Sequence, residues 1–192
     1  DLSTFDLRYV GRVLSALADV GSIFLIFLIG KRLFSPKIGL IAAVLLCLAV
    51  VHVQSSHFYR PETFIVLVSL IAFWVMLDVL KRRRLRDWIF LGLIVGLLFS
   101  IKVSVLPILF PLLLVFVLQL LTDEDGHYRS LSKTICIKTG LHAFVGAVCA
   151  LGLFVLLTPY AVIDFQKFFA DTTWEASNAR IAGQVPYTIQ YI

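Results

Sequence analysis

His57, Tyr59, Arg60 and Glu62 lie within one six-residue stretch, and Lys102 sits at a break between two apolar runs. An imidazole, a phenol, cations and a carboxylate at the edge of apolar segments suit a phosphate that carries a polar headgroup. Arg offers a planar fork to phosphate oxygens and Lys a point charge, and both stabilise negative charge growing on a phosphate leaving group. Ionisable groups at membrane level are costly unless they face a cavity, a partner or the headgroup zone, so their convergence marks a site. The same residues also have a plainer use, with Arg60 and Glu62 as interfacial anchors paired with each other.

Other polar residues gather on the same side. Arg8 and Arg12 lead into the first apolar run, and Tyr160, Asp164 and Lys167 follow the last. His52 and His57 are five apart with no third ligand at a suitable spacing, so no metal site is expected, and the need for a divalent cation stays open. The chain has no Gly-rich phosphate loop, no His-Glu-x-x-His pattern, no Cys-x-x-Cys pair and no Gly-x-Ser-x-Gly elbow.

The elements that must hold these residues are apolar. Hydrophobic residues make up 60% of the chain and charged ones 15%, with a mean hydropathy of +0.96. Soluble domains carry about 25% charged residues, which rules out a water-soluble fold. Six stretches read as spans of an all-α, polytopic transmembrane bundle: 13–30, 38–53, 63–80, 88–101, 105–121 and 141–158. Lys31, Arg32 and Lys37 follow the first stretch. Lys81, Arg82, Arg83, Arg84 and Arg86 follow the third, and Arg129, Lys133 and Lys138 follow the fifth. The positive-inside rule makes those three loops cytoplasmic and places residues 57–62, Lys102 and both chain ends outside. The net charge of +5 belongs to these turns, so anionic headgroups rather than nucleic acid are the expected partners.

The fourth stretch is short for a bilayer of about 30 Å, so Lys102 either snorkels outward or ends its helix in a recess. Gly92 with Gly96, and Gly146 with Ala150, have the four-residue spacing of close helix packing. Pro107 and Pro111 either kink the fifth span or mark its first turns. Cys47, Cys136 and Cys149 are not placed for an extracytoplasmic disulfide. Residues 1–158 are therefore expected to form the membrane bundle, and 159–192 the start of an extracytoplasmic loop with an interfacial helix over 162–170. The opening at Asp1 and the polar, aromatic ending suggest an excerpt of a longer protein.

The run from Arg12 through Leu17, the Gly30-Lys-Arg-Leu-Phe-Ser-Pro-Lys-Ile-Gly segment, His57-Phe-Tyr-Arg-Pro-Glu62, Ser100-Ile-Lys102 and Thr158-Pro-Tyr-Ala-Val-Ile-Asp164-Phe resemble GT-C membrane glycosyltransferases. The likeness is to the branch of protein O-mannosyltransferases and lipid A aminoarabinose transferases. It implies a polyprenyl-phosphate-linked sugar donor, inverting transfer at the outer face, and an acceptor protein or glycolipid. It also implies a catalytic acidic residue in a first outer loop upstream of these spans, and Asp6 is either the tail of that loop with a catalytic role or a cap at a helix start. This chain would then hold the donor-binding half, with Arg60 and Lys102 as phosphate contacts and Glu62, His57 and Tyr59 around them. A plasma membrane is the expected location, with the endoplasmic reticulum as alternative.

Two other functions compete. A lipid flippase or transporter would carry ionisable residues deep within spans, for which Asp19 and Asp78 are the candidates. A non-catalytic subunit would keep the architecture as a scaffold of a larger membrane complex.

Overall fold

The computed structural model describes residues 4–56, 60–122 and 133–178. These residues form helices α1 (Thr4–Leu33), α2 (Pro36–Cys47), α3 (Val50–Ser56), α4 (Pro61–Arg82), α5 (Leu85–Ile101), α6 (Leu109–Leu121), α7 (Lys133–Leu157), α8 (Tyr160–Ile163) and α9 (Phe165–Asn178), with a 3-10 segment, Val103–Ile108, leading into α6. The protein is an all-α membrane bundle. Local chemistry sets several of the ends. Ser35 accepts a hydrogen bond from the Ile38 amide and Pro36 occupies the first helical position of α2. Pro61 does the same for α4, behind an extended Arg60.

Helix directions follow from paired contacts. Gly21 of α1 packs against Leu67 of α4 and Arg32 of α1 binds Asp78 of α4, at the same offset, so the two helices run parallel. Glu62 meets Lys102, and the Gln119 side chain donates to the Val79 carbonyl, again at one offset, so α6 is parallel to α4. Gly92 faces Gly146 and Gly96 faces Ala150, which makes α5 and α7 parallel. A two-residue turn at Arg83 and Arg84 reverses α4 into α5. Thus α1, α4 and α6 run one way while α5 and α7 run the other. Their ends sort into a basic end, with Arg32, Arg82, Arg84 and Lys138, and an opposite end, with Arg60, Glu62, Lys102 and α8–α9.

The core lies where α4, α5 and α6 meet, around Met76, Val79, Trp88, Leu91 and Leu98. Lipid offers helices no hydrophobic reason to associate, so close packing and hydrogen bonds must hold them. A Cβ on Gly92 would overlap the Gly146 carbonyl, and one on Gly39 would lie 2.5 Å from the Phe27 carbonyl oxygen. Glycine alone permits those approaches. At the basic end Arg32 lies 2.7 Å from Asp78 and stacks 4.7 Å from the Trp74 ring centre. Outward positions are apolar, Phe110 and Leu156 among them.

Of the six expected spans, one is broken and one forms a helix too short to count among the long apolar ones. Four helical stretches among the described residues are long and apolar enough to cross a membrane: Tyr9–Leu33, Pro61–Arg82, Val103–Leu121 and Lys133–Leu157. The expected span 38–53 breaks between Cys47 and Val50 into α2 and α3, where the Ala49 and His52 amides bond over three residues rather than four. The expected span 88–101 becomes the 17-residue α5, rising about 25 Å. Pro107 falls inside the 3-10 segment and Pro111 in the first turn of α6, so neither interrupts an established helix. The interfacial helix expected over 162–170 is divided at Asp164, whose carboxylate caps α9 by accepting from the Lys167 amide at 3.3 Å.

Candidate functional site

At the end opposite the basic turns, α5 stops at Ile101 and the chain becomes extended at Lys102 before entering the 3-10 segment. That break delivers Lys102 to the first turn of α4. Its Nζ lies 3.5 Å from Oε1 of Glu62, with the Lys and Glu side chains 31% and 45% exposed. An ion pair so exposed contributes little, at most about 1 kcal/mol. Oε2 of Glu62 is buried and has no hydrogen-bond partner among the described residues, which leaves it an acceptor for an incoming hydroxyl or protonated group. Glu62 also sits where the helix dipole of α4 favours a carboxylate.

Both residues line a groove of about 750 Å³ between α4 and the segment leading through α6. The α4 wall is Glu62, Ile65, Val66, Ser69 and Phe73, a single helical face. On the other side are Lys102, Ser104 and then Ile108, Phe110 and Leu114. The groove is therefore charged at one end and apolar along its length. A second cavity of about 670 Å³, almost wholly apolar, lies between α5, α6 and α7 and is closed at one edge by Phe168 of α9. Phe168 is held there by edge contacts with Phe154 and Tyr160, at 6.3 and 6.2 Å between ring centres.

Of the residues singled out in the sequence, the fold brings Glu62 and Lys102 together. Arg60 is exposed two residues before Glu62, outside the groove lining, and its carbonyl accepts from the Thr63 hydroxyl at 3.1 Å. His57 and Tyr59 lie outside the described residues. Asp6 falls near the start of α1, and its side chain lies outside the described part. Tyr160 donates to Asp171 at 3.2 Å. Burial, followed by the Asp171 and Asp164 charges and the hydrogen bond to Asp171, raises the Tyr160 phenol above its usual value.

The sequence also contained a pair that its spacing did not join. His52 Nε2 on α3 contacts Asp19 Oδ1 on α1, and the buried Ser15 hydroxyl one turn away has no partner among the described residues. The described residues bring no three metal-ligating side chains together.

Over residues 5–157 the sequence matches the model of the dolichyl-phosphate-mannose-protein mannosyltransferase family. The chain belongs to that family. No curated protein and no solved structure matches it. Membership makes the chain an integral membrane protein of the GT-C glycosyltransferase type, in keeping with its long apolar helices.

Proposed function

We propose that the protein transfers a sugar from a polyprenyl-phosphate-linked donor to an acceptor protein or glycolipid, and that the donor phosphate docks beside Lys102. The observation that carries this reading is the groove itself, with a cation and a carboxylate at one end and an apolar channel beyond. A phosphorylated isoprenoid has the same division of chemistry along its length. Lys102 neutralises phosphate oxygens, Arg60 adds charge from the adjacent α4 terminus, and the free oxygen of Glu62 orients a sugar hydroxyl.

In an inverting transfer the acceptor oxygen attacks the anomeric carbon as the bond to the phosphate oxygen breaks. The electron pair leaves on polyprenyl phosphate, where Lys102 stabilises it, and the acceptor proton passes to an acidic base. Family resemblance puts that base in a first outer loop, and Asp6 is the candidate in this chain. Charge asymmetry orients the site: Arg32, Arg82, Arg84 and Lys138 mark the cytoplasmic end, so Glu62 and Lys102 face outside. The exposed Phe165, Phe169 and Trp174 of α9 suit the membrane interface on that side, in the plasma membrane or the endoplasmic reticulum.

The test is sugar transfer from a polyprenyl-phosphate donor by purified protein. Lys102→Ala should lower kcat/KM by roughly 30-fold to 1000-fold, which corresponds to about 2–4 kcal/mol of transition-state stabilisation. Arg60→Ala should cost less, and Lys102→Arg should recover part of the loss. Full turnover by Lys102→Ala and Arg60→Ala at limiting donor would reject the reading and favour a scaffold.

A transporter of a lipid-linked substrate is the second reading, favoured by the Asp19 and His52 pair beside the break between α2 and α3. Loss of substrate translocation in His52→Leu, with transfer chemistry absent from the wild type, would select it.

A further inference from the structure

At the basic end, the α4–α5 turn and the start of α7 enclose a third cavity, of about 470 Å³, lined by Arg82, Arg83, Arg84, Lys138, Thr139 and His142. That volume falls within the about 300–1,000 Å³ typical of small-molecule pockets. Three successive residues of a helix point about 100° apart, so three adjacent arginines reach one cavity only where the chain reverses sharply. Arg83 makes that reversal in the left-handed region, with φ at 53°, a conformation disfavoured for a side chain of its size. A topology signal requires only charge near a helix end. The shaped reversal is more than such a signal needs.

Among the described residues no carboxylate lines the cavity. Asp78 is bound to Arg32 and lies 3.7 Å from Arg82, while Asp87 lies 4.0 Å from Arg86. Arg83 caps the end of α6 by donating to the Gln119 and Thr122 carbonyls. The Arg84 and Lys138 side chains make no hydrogen bond or ion pair with another described residue, while the Arg84 carbonyl accepts from the Asp87 amide, and Lys138 and His142 lie one turn apart on α7. The site therefore presents cations, a hydroxyl and an imidazole to one volume at the end of membrane-crossing helices, with Leu85, Gln119 and Ile135 completing the wall.

We propose that this cavity binds the phosphate of an anionic phospholipid headgroup, with Arg84 and Lys138 as its principal contacts. A free phosphate has the same chemistry, but the position among helix ends and the apolar flank favour a lipid. The site is remote from Glu62 and Lys102 and does not depend on the sugar-transfer reading.

Native mass spectrometry of the protein released from nanodiscs containing phosphatidylglycerol and phosphatidylcholine tests it. The wild type should retain one phosphatidylglycerol, and Arg84→Gln with Lys138→Gln should weaken that binding at least about tenfold. Lys31→Gln with Lys37→Gln, which removes equal charge elsewhere, should leave it unchanged. Equal retention by the wild type and the Arg84, Lys138 variant, or equal loss in the Lys31, Lys37 variant, overturns the site. Should the first double variant fail to fold, the wild type decides alone: no preference for phosphatidylglycerol over phosphatidylcholine overturns it. Displacement of the lipid by inorganic phosphate assigns the cavity to a free anion instead. Retention that appears only after Asp123→Asn, Glu124→Gln and Asp125→Asn also overturns the proposal, because the chain's own carboxylates would then be the occupants.

Discussion

Gln119 on α6 reaches the carbonyl oxygen of Val79 on α4, forty residues earlier, the same separation that brings Lys102 to Glu62 at the far end of the two helices. One register thus fixes both ends of the groove. The Gln119 side chain is buried and also accepts from the Trp88 indole at 3.3 Å, so it ties three helices at one level.

Replacing Gln119 with Leu should lower stability by about 1–3 kcal/mol, because the Trp88 N–H loses its partner in a dry setting. Thermal unfolding in detergent measures this. An unchanged transition would mean that the register is set elsewhere.

Gly92→Ala should destabilise by about 1–3 kcal/mol, since its new methyl group meets the Gly146 backbone rather than a side chain that can move. Gly140→Ala on α7 provides the comparison. A Cβ there meets nothing within 4 Å, so the change should be neutral or stabilise by up to about 1 kcal/mol. Equal melting of the two variants would discredit the α5–α7 packing.

Asp19→Leu should cost about 3–5 kcal/mol by leaving the His52 imidazole without its counterpart, and His52→Leu should behave alike. Combining the two should restore much of the loss, because the pair is then replaced by apolar groups. Additive losses in the double variant, measured by the same unfolding assay, would show that the residues do not act as a pair.

Tyr160 provides a pH test. Its phenol is raised by burial and by Asp171, so the folded chain holds the proton more tightly than the unfolded chain does. The resulting stabilisation is complete below the ordinary phenol value of about 10 and is lost as pH rises through the higher folded value. The ultraviolet titration of the wild type minus that of Tyr160→Phe should show one tyrosinate forming above the ordinary value. Ionisation at or below about 10 would contradict the Asp171 contact.

Much of this fold was legible because lipid imposes a simple rule on composition. Long apolar runs and the basic turns between them located α1, α4, α6 and α7 directly. The break at Leu48 and Ala49 was not legible, since both residues favour helix and no Gly or Pro marks the place. What accompanies the break is a contact with α1, where His52 meets Asp19, and no local pattern reports that. Gln119 was visible as an amide in an apolar run, yet its partners lie on α4 and α5. The pairing of Lys102 with Glu62 could be anticipated only as a shared side of the membrane. The apolar wall was available in principle, because Ile65, Val66, Ser69 and Phe73 repeat at helical spacing after Glu62.

The segment from Val103 to Ile108 has a groove on one side and an apolar cavity on the other, with Val103 lining the cavity and Ser104 and Pro107 the groove. It is a partition wall built as a 3-10 helix, with weaker hydrogen-bond geometry than the α-helices around it. A wall shared by two rooms gives one of them width only by taking it from the other. A substitution in this segment therefore changes the lining of the groove and of the apolar cavity together.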